Sequence, residues 1–394
     1  MRIAYVLINA NRREGTSRAV VEVAERLGSR HEVHVFAREN ECLRADRTTW
    51  RRIAGPAWPD VAEFECYRVA TQRRLRRDHF DIIHSAGCNA TEADVYAIQT
   101  VHPRKMEVNS AEGRDSKVGT LRRFTRQLYD RRVLAAERNA YRPYNSRGLV
   151  GFLPVSQGTE TELRESYPLD GALIEVIPNG ADLQMFHPGL KDLYRGEVRR
   201  EMSCDETDVV FLFAGGEWRR KGLKLALEAF AKVARPGVIL AVAGDDPQRN
   251  EFRSFAESLG VMPRIRWLGF RSDIHRIYAA ADAFLFPSAY EAFSLATIEA
   301  AATGLPVMMA DISGARELLG DGRGGAIVER SAAAISAVMI EWVNHPELRQ
   351  RMGIESRKKV ERDFHWDRIA DQTERFYERL LRHRANNPCQ VETA

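Results

Sequence analysis

The stretch that decides the fold reads E-A-F-S-L-A-T-I-E-A-A-A-T over residues 291–303 and continues as G-L-P-V over residues 304–307. An apolar run at residues 282–286 and a Pro-Ser pair precede it. This pattern predicts a buried strand, a turn, a loop that carries Glu291, and a helix that begins near Phe293 or Ser294. Glu299 then lies one to two turns into that helix.

The two carboxylates of this stretch have different predicted surroundings. Glu291 lies at a helix mouth, where backbone N–H groups and the positive end of the helix dipole attract anions. Glu299 is embedded in L-A-T-I-E-A-A-A, and a carboxylate among apolar neighbours needs a partner. Two such glutamates in isolation would usually be solvated surface acids. The apolar context favours instead a site for hydroxyls and phosphates together, the groups that a sugar nucleotide presents.

A second candidate site is the loop G-G-E-W-R-R-K-G at residues 215–222, between the apolar run 208–214 and a predicted helix at 223–233. Arginine contacts phosphate in bidentate fashion, lysine supplies a point charge, and a helix end adds amide donors. The loop therefore predicts a diphosphate site at Gly216, Arg219, Arg220 and Lys221, and the alternative is a basic surface turn. Asp245 and Asp246 follow the next strand, but G-D-D-P is typical of a turn, so no metal ion is expected.

The chain as a whole is expected to form two α/β domains. It has 394 residues, of which 44% are hydrophobic and 29% charged, and this length exceeds one ordinary core. Strand and helix patterns alternate in both halves, which predicts parallel sheets covered by helices. Its five scattered cysteines show no C-x-x-C spacing and indicate reduced cytosolic thiols, and no apolar segment is long enough to span a membrane.

Two residues of the N-terminal half are predicted to lie at strand ends, where α/β sheets bind ligands. Gly15 belongs to the loop 9–16 after the first strand, and its backbone can approach a ligand. His102 closes the predicted strand 95–101, and from position alone it is most simply a capping or half-buried histidine. Residues 103–117 are polar and are expected to form a loop over the site.

The net charge of +4 is unevenly distributed. Segment 118–141 places Leu121, Phe124 and Leu128 at helical spacing among several arginines. This pattern is typical of a helix that docks on an anionic membrane surface and equally of an ordinary helix with a solvated arginine face. No nucleic-acid-binding motif accompanies the charge, so nucleic acid is not an expected partner.

The run F-L-F-P-S-A-Y-E-A-F-S-L-A-T-I-E-A-A-A-T-G-L-P-V at residues 284–307 closely resembles the E-x7-E signature of retaining family 4 glycosyltransferases. The R-K-G triplet at 220–222, the turn at 176–188 and the last predicted helix resemble family features as well. The resemblance implies the GT-B fold, two Rossmann-like domains facing across a cleft. Residues 1–183 would bind the acceptor, residues 184–364 would bind the nucleotide sugar, and residues 365–384 would form a closing helix on the first domain.

The resemblance also implies roles for single residues. Lys221 and one arginine would neutralise the donor diphosphate, and we assign that arginine role to Arg220 first and Arg219 second. A frequent family form has arginine where this chain has Glu217. Glu291 would hold the sugar hydroxyls and Glu299 the ribose hydroxyls. Backbone amides at the helix mouth would come from Phe293, Ser294 and Leu295. Phe270 and Arg271 would lie nearest the nucleotide base. His102 would be the catalytic histidine, with His84 as the competitor for this role.

The function implied is transfer of a sugar from a nucleoside diphosphate sugar to an acceptor hydroxyl with retention of configuration, without a cofactor. The expected acceptor is a glycan, a glycolipid or a small molecule, in surface glycan assembly or, as the alternative, in secondary metabolism. The expected location is cytoplasmic, with docking on the inner face of the membrane as an option. A nucleotide-sugar epimerase or hydrolase of GT-B shape, or a non-catalytic sugar-nucleotide-binding protein, would share these motifs.

Overall fold

Two separate parallel sheets organise the chain in its computed structural model, which describes residues 1–111, 120–233 and 235–387, without the side chains of residues 120–123. The chain divides into two compact units. Unit 1 comprises Met1–Asn179 and Trp366–Ala394, and unit 2 comprises Gly180–His365. The chain thus passes from one unit to the other after Asn179 and returns after His365.

Unit 1 contains a seven-stranded parallel sheet with the strand order β11-β10-β7-β6-β1-β3-β5. The short strands β2 and β4 pair with each other, as do β8 and β9. The bounds of the strands are β1 Arg2–Val6, β2 Asn9–Ala10, β3 Glu32–Ala37, β4 Glu39–Asn40, β5 Thr49–Arg52, β6 Ile82–Ala86, β7 Val95–Ile98, β8 Tyr144–Asn145, β9 Gly148–Leu149, β10 Gly151–Pro154 and β11 Leu173–Ile174.

The central strands of this sheet are buried along their length, because helices cover a parallel sheet on both faces. The helices that connect the strands are α1 Gly15–Leu27, α2 Asp60–Leu75, α3 His102–Ala111, α4 Thr120–Ala140 and α5 Gln157–Ser166. In α4 the buried positions Val133, Ala136 and Ala140 follow helical spacing, whereas Phe124 is 63% exposed.

Unit 2 is a second parallel α/β unit with the strand order β14-β13-β12-β15-β16-β17. Its strands are β12 Val209–Ala214, β13 Val238–Ala243, β14 Ile265–Gly269, β15 Ala283–Phe286, β16 Val307–Ala310 and β17 Gly325–Val328. Its helices are α6 Leu190–Glu201, α7 Leu223–Ala231, α8 Arg249–Ser258, α9 Ile274–Ala280, α10 Leu295–Ala302, α11 Ala315–Leu319, α12 Ala332–Asn344 and α13 Pro346–Asp363.

The strand order of unit 2 reverses beside β12. From β12 the chain moves to β13 and β14 on one side, and it then returns to β15 on the other side of β12. Such a reversal opens a crevice at the carboxyl ends of the two strands, and ligands of α/β sheets bind there. The loop 215–222 directly follows β12, and the segment 287–294, which carries Glu291, directly follows β15.

The last helix, α14 (Trp366–Asn386), packs on unit 1. Its apolar face, which includes Ile369, Phe376 and Leu380, is buried, and Arg26 of α1 donates to Asp367 at 2.7 Å. Arg384 donates to the carbonyl of Leu149. The helix therefore closes the core of the unit in which the chain began.

Three expectations about elements need correction. The strand that was to end at His102 ends at Ile98, and His102 is the first residue of α3. The loop expected over 103–117 begins as helix α3, and residues 112–119 lie outside the described part of the chain. His84, expected at a strand end, lies in the middle of β6. Among the helices described, none is both long and apolar enough to cross a bilayer.

Candidate active site

The candidate site of unit 2 is built where the loops after β12 and β15 touch. The backbone N–H of Ala289 donates to the carbonyl of Arg220 at 2.8 Å. Gly222 has a positive φ of 79°, and a Cβ there would collide with the carbonyl of Pro287. Only glycine fits such a close approach of two backbones. The two loops therefore lie in direct contact and form one surface at the strand-order reversal.

Lys221 lies at the centre of this surface. Its Nζ is 4.0 Å from Glu291 Oε1 and 5.2 Å from the centre of the Phe286 ring. The ammonium also occupies the space above Gly215, whose φ is +123° and where a Cβ would collide with Nζ. The lysine that the sequence assigned to a phosphate thus has its charge directly over the carboxyl end of β12.

Arg220 is held between two carboxylates. Its Nη1 donates to Glu291 Oε1 at 2.8 Å and to the carbonyl of Tyr290, while Nε and Nη2 donate to Glu217 Oε2 at 3.2 and 2.7 Å. Burial alone would lower the pKa of Arg220, but the charges of Glu291 and Glu217 outweigh burial and raise this pKa above its usual value. The guanidinium therefore stays charged and links the two loops.

Trp218 fixes the conformation of the loop that carries these cations. Its Nε1–H donates to the carbonyl of Gly215 at 2.8 Å, and its backbone N–H donates to Asp246 Oδ2 at 2.9 Å. Asp246 also accepts from the backbone N–H of Gln248 at 2.8 Å, as an aspartate in a turn does. Gly216 faces the same turn, since a Cβ there would come within 3.2 Å of the carbonyl of Asp245.

Asp246 thus holds the loop in place through the backbone N–H of Trp218. In the part of the chain that the structure describes, no group of three or more His, Cys, Asp or Glu side chains is arranged to hold a metal ion.

Helix α10 begins beside Glu291. Ser294 is its N-cap, and the Ser294 hydroxyl accepts the backbone N–H of Thr297. Leu295 is the first helical residue, and Glu299, only 5% exposed, lies within hydrogen-bonding reach of the Tyr278 hydroxyl at 3.4 Å. The helix start at Ser294 was predicted from the sequence.

Phe293 is buried at the mouth of the helix. It packs edge-on against Phe364 with ring centres 5.3 Å apart, and a Cβ on Gly314 would collide with its ring. The ring of Phe293 therefore packs into unit 2 and supports the start of α10. A ligand of this residue would be bound by its backbone and not by its side chain.

The two residues expected to face the nucleotide base differ in exposure and in ion pairing. Phe270, directly after β14, is 68% exposed. Arg271 is engaged in ion pairs with Asp273 at 2.7 Å and with Glu201. Arg219, the second choice for the diphosphate, pairs with Glu251 at 3.2 Å.

In unit 1, His102 is buried and its Nε2 is 3.1 Å from Asp130 Oδ1 on α4. Gly15 is exposed at the first turn of α1, in the connection between β1 and β3. The competitor His84 is fully enclosed: its Nδ1 is 2.5 Å from the Tyr377 hydroxyl, and burial lowers the pKa of His84 to about 3. Such a histidine is part of the core.

The structure thus brings Arg220 and Lys221 to the same carboxylate, that of Glu291, and it places Arg219 and Arg271 in other ion pairs. Sequence reasoning missed the contacts of Glu217, Trp218, Asp246 and Asp130. Glu217 stands three positions before Arg220, a spacing that could have indicated the pair. Asp130 stands 28 positions after His102, and no local pattern connects them.

Comparison with known proteins agrees with these two units. Residues 13–185 match the model of the family "Glycosyltransferase Family 4", and residues 195–359 match that of "Glycosyl transferases group 1". A D-inositol 3-phosphate glycosyltransferase of Segniliparus rotundus is 32% identical over 242 residues, which are 58% of this chain and 52% of that protein.

A UDP-Gal:alpha-D-GlcNAc-diphosphoundecaprenol alpha-1,3-galactosyltransferase of Escherichia coli is 29% identical over 180 residues, 44% of this chain and 46% of the relative. The chain therefore spans about half the length of these curated relatives. Among solved structures, that of WaaG, a glycosyltransferase involved in lipopolysaccharide biosynthesis, superposes with a TM-score of 0.75 at 20% identity and covers 94% of this chain and 98% of its own. This likeness shows the predicted GT-B fold.

Proposed function

Because this chain joins a Glycosyltransferase Family 4 domain to a Glycosyl transferases group 1 domain, we propose that it moves a glycosyl unit from a nucleoside diphosphate sugar to an acceptor hydroxyl, with retention of configuration. One observation carries the proposal: Lys221 and the Arg220–Glu291 pair meet at the strand-order reversal of unit 2. A cation for the diphosphate and a carboxylate for the sugar lie side by side there.

The chemistry follows from where charge develops. Breaking the bond between the sugar C1 and the diphosphate oxygen builds positive character on the sugar and negative charge on the departing diphosphate. The cationic loop 215–222 and the amides at the start of α10 stabilise the diphosphate, because preorganised donors act strongly in a site shielded from water. Glu291 holds the sugar hydroxyls, and Glu299 accepts the ribose hydroxyls. The family resemblance assigns the polarisation of the transferred sugar to His102, whose Nε2 is 3.1 Å from Asp130 Oδ1.

The donor is a nucleoside diphosphate sugar of unassigned base, and no metal ion takes part in our proposal because basic side chains supply the countercharge. The Escherichia coli relative is named for UDP-Gal, which supports this donor class. Retention of configuration rests on the resemblance to retaining family 4 enzymes.

The test is to incubate the protein with nucleotide sugars, with and without candidate acceptors, and to measure nucleoside diphosphate release and the anomer formed. Acceptor-dependent release with an α-linked product from an α-linked donor supports the proposal. Consumption of donor that no acceptor accelerates would make the chain an epimerase or hydrolase instead. Binding without turnover would make it a sugar-nucleotide-binding protein.

For the acceptor we infer an anionic or membrane-associated hydroxyl compound, met at the cytoplasmic face of the membrane. On α4, Phe124 and Leu128 are exposed one turn apart, and Arg131 and Arg132 beside them are exposed as well. Near an anionic surface each basic residue contributes about 1 kcal/mol, so a few suffice for reversible docking. The names of the two relatives, an undecaprenol-linked and an inositol-phosphate enzyme, fit such acceptors.

Co-sedimentation with anionic and neutral vesicles tests the docking face, using wild type and an Arg126/Arg131/Arg132 triple-glutamate variant. The side chains of Arg122 and Arg123, also part of the predicted face, lie outside the described residues. Binding to anionic vesicles should weaken as salt rises, because exposed charges are screened within about 8 Å at physiological ionic strength. If wild type ignores anionic vesicles at low salt, a soluble acceptor, as in secondary metabolism, is the better choice.

A further inference from the structure

Unit 1 contains a cavity that the proposed transfer reaction does not use. The cavity lies between one face of the sheet and the helices α1 and α14, and it holds about 390 Å³ of empty space. Ligand sites in proteins commonly have volumes of about 300–1,000 Å³. The cavity is therefore large enough for a small organic molecule.

The walls of the cavity are mostly apolar. Helix α1 contributes Ala19 and Val23, which lie one turn apart. Helix α14 contributes Ile369 and Thr373 at the same spacing. The sheet contributes one side chain from each of four neighbouring strands, namely Tyr5, His84, Ala97 and Leu153. Among the described residues that line the cavity there is no Asp, Glu, Lys or Arg, so a charged ligand would be buried here without a partner.

Two lining side chains carry a buried nitrogen that has no hydrogen-bond partner in the described part of the chain, His84 Nε2 and Trp366 Nε1. His84 is 4% exposed and Trp366 is 1% exposed, so bulk water does not supply the missing partner. Other polar side chains of the lining are satisfied: Thr373 donates to a carbonyl of its own helix, and Gln99 and Asn179 pair through their amides. Buried polar groups without a partner are rare and costly, which indicates that a ligand completes this site.

The chemistry of the two nitrogens determines which polar group the ligand needs. The indole N–H of Trp366 can only donate. His84 is neutral at pH 7 because burial lowers its pKa to about 3, and a neutral imidazole carries one N–H. Since His84 Nδ1 is 2.5 Å from the Tyr377 hydroxyl, Nε2 donates if Tyr377 donates to Nδ1, and it accepts if Nδ1 carries the proton. A hydroxyl fits every case, because it both donates and accepts.

We propose that this cavity is a binding site for a small neutral molecule that joins an apolar body to one hydroxyl, such as a phenol. The hydroxyl bonds to His84 Nε2, Trp366 presents a further donor in the same cavity, and the apolar body fills the space between the sheet, α1 and α14. Water fits this space less well, since a buried water needs two to four polar partners and most of the walls are apolar. The site goes beyond the proposed function and shares no residue with the groups proposed for glycosyl transfer.

Phenol and toluene, two molecules of almost the same size, test whether the hydroxyl matters. Their binding to the whole chain is measured by ligand-detected NMR titration. Phenol should bind at least as tightly as toluene, although toluene is the more apolar, because its hydroxyl finds a partner. Without a partner the buried hydroxyl would make phenol the weaker ligand by about 5- to 150-fold.

Single substitutions locate the contact. His84→Phe removes the nitrogen but keeps a ring of similar size, so the affinity for phenol relative to toluene should fall by about 5-fold or more. His79→Phe makes the same exchange at a side chain that is 89% exposed, and it should bind both molecules as wild type does. Ala97→Leu fills the cavity from the sheet and should bind neither molecule. Ala19→Leu fills it from α1 and takes its place if the first variant does not fold.

Each other outcome overturns a part of the proposal. If wild type binds neither molecule, the cavity is not a ligand site. Toluene binding without phenol binding, or an unchanged affinity ratio in His84→Phe, would contradict the hydroxyl contact. Equal binding in wild type and in a folded cavity-filling variant would place the molecules elsewhere on the chain. None of these measurements uses a nucleotide sugar, so their result is independent of the proposed glycosyl transfer.

Discussion

At the residue scale, the sequence indicates which side chains form the candidate site, but it does not indicate which partners hold them. Glu291 and Lys221 were assigned from the residues around them, and the structure places them 4.0 Å apart. That Arg220 lies between Glu217 and Glu291 depends on a contact between positions 71 apart in the chain. No local pattern encodes such a contact, because it arises when two loops meet across a strand-order reversal.

The two carboxylates should separate in a kinetic comparison. Glu299→Gln should raise the KM for the donor more than it lowers kcat, because ribose contacts are similar in the ground and transition states. Glu291→Gln should lower kcat more than it changes KM, since it acts where charge develops on the sugar. Steady-state kinetics of both variants with one donor checks this, and the reverse pattern would exchange the two assignments.

Gly215 offers a residue-scale test of where the lysine ammonium lies. Gly215→Ala should weaken nucleotide binding, because the new Cβ collides with Lys221 Nζ. It should also cost about 1–3 kcal/mol of stability, since a φ of +123° strains any residue with a Cβ.

Gly260→Ala is the matched control, because its φ is +70° and nothing lies within 4 Å of the added Cβ. Both variants should unfold at lower denaturant concentration, and only Gly215→Ala should lose nucleotide affinity in calorimetry. Equal affinity in the two variants would show that Lys221 does not act from this position.

At the element scale, strands buried on both faces were predicted well and element ends poorly. The run D-V-V-F-L-F-A at residues 208–214 became β12, since a parallel strand covered on both sides must be apolar throughout. At residues 95–101 the predicted strand is too long, because the continuous apolar run ends at Ile98, where β7 ends, and Gln99 and Thr100 are polar. The sequence does not predict helix α2 (Asp60–Leu75), because this segment mixes polar and apolar residues without a clear apolar stripe.

The cap of α10 allows an element-scale prediction. Ser294→Ala should lower the free energy of unfolding by about 0.5–2 kcal/mol, because the hydroxyl no longer accepts the backbone N–H of Thr297. It should also weaken donor binding, since this first turn positions the amides and Glu299.

Ser331→Ala removes the equivalent cap of α12, where Ser331 accepts from the backbone N–H of Ala334. Denaturant titration should give similar losses for the two variants, and only Ser294→Ala should raise the KM for the donor. An equal rise of the KM for the donor in Ser331→Ala would mean that the N-terminus of α10 has no specific role in donor binding.

At the scale of the whole molecule, the alternation of strands and helices predicted two parallel α/β units, and only the family resemblance predicted that the last helix returns to the first unit. The physical basis of that return is visible in side chains far apart in the chain. Tyr377 of α14 links Tyr5 of β1 at 2.8 Å to His84 of β6. A periodic apolar face shows that a helix packs, but it does not show which unit it packs on.

Asp94 joins α14 to unit 1 and provides a test at this scale. The side chain is fully buried and accepts from Arg384 at 2.5 Å, from Arg147 at 2.8 Å and from the backbone of Ile83. Asp94→Ala should destabilise unit 1 by about 3–5 kcal/mol, because two arginines lose their buried partner.

Asp321→Ala, which removes the exposed partner of Arg323, should cost about 1 kcal/mol or less. Urea unfolding followed by fluorescence compares the two variants. A loss in Asp94→Ala no larger than in Asp321→Ala would show that these contacts do not anchor the last helix.

The measurement that tests the central claim most directly is a thermal-shift screen of nucleotide sugars against wild type and Lys221→Gln. A ligand that binds only the native state raises the melting temperature in proportion to the logarithm of its concentration above the Kd. Our account predicts that at least one nucleoside diphosphate sugar stabilises wild type in this way, and that Lys221→Gln needs a higher concentration of it for the same shift. The account would be contradicted if no nucleotide sugar shifted the transition, or if the lysine variant responded as wild type does.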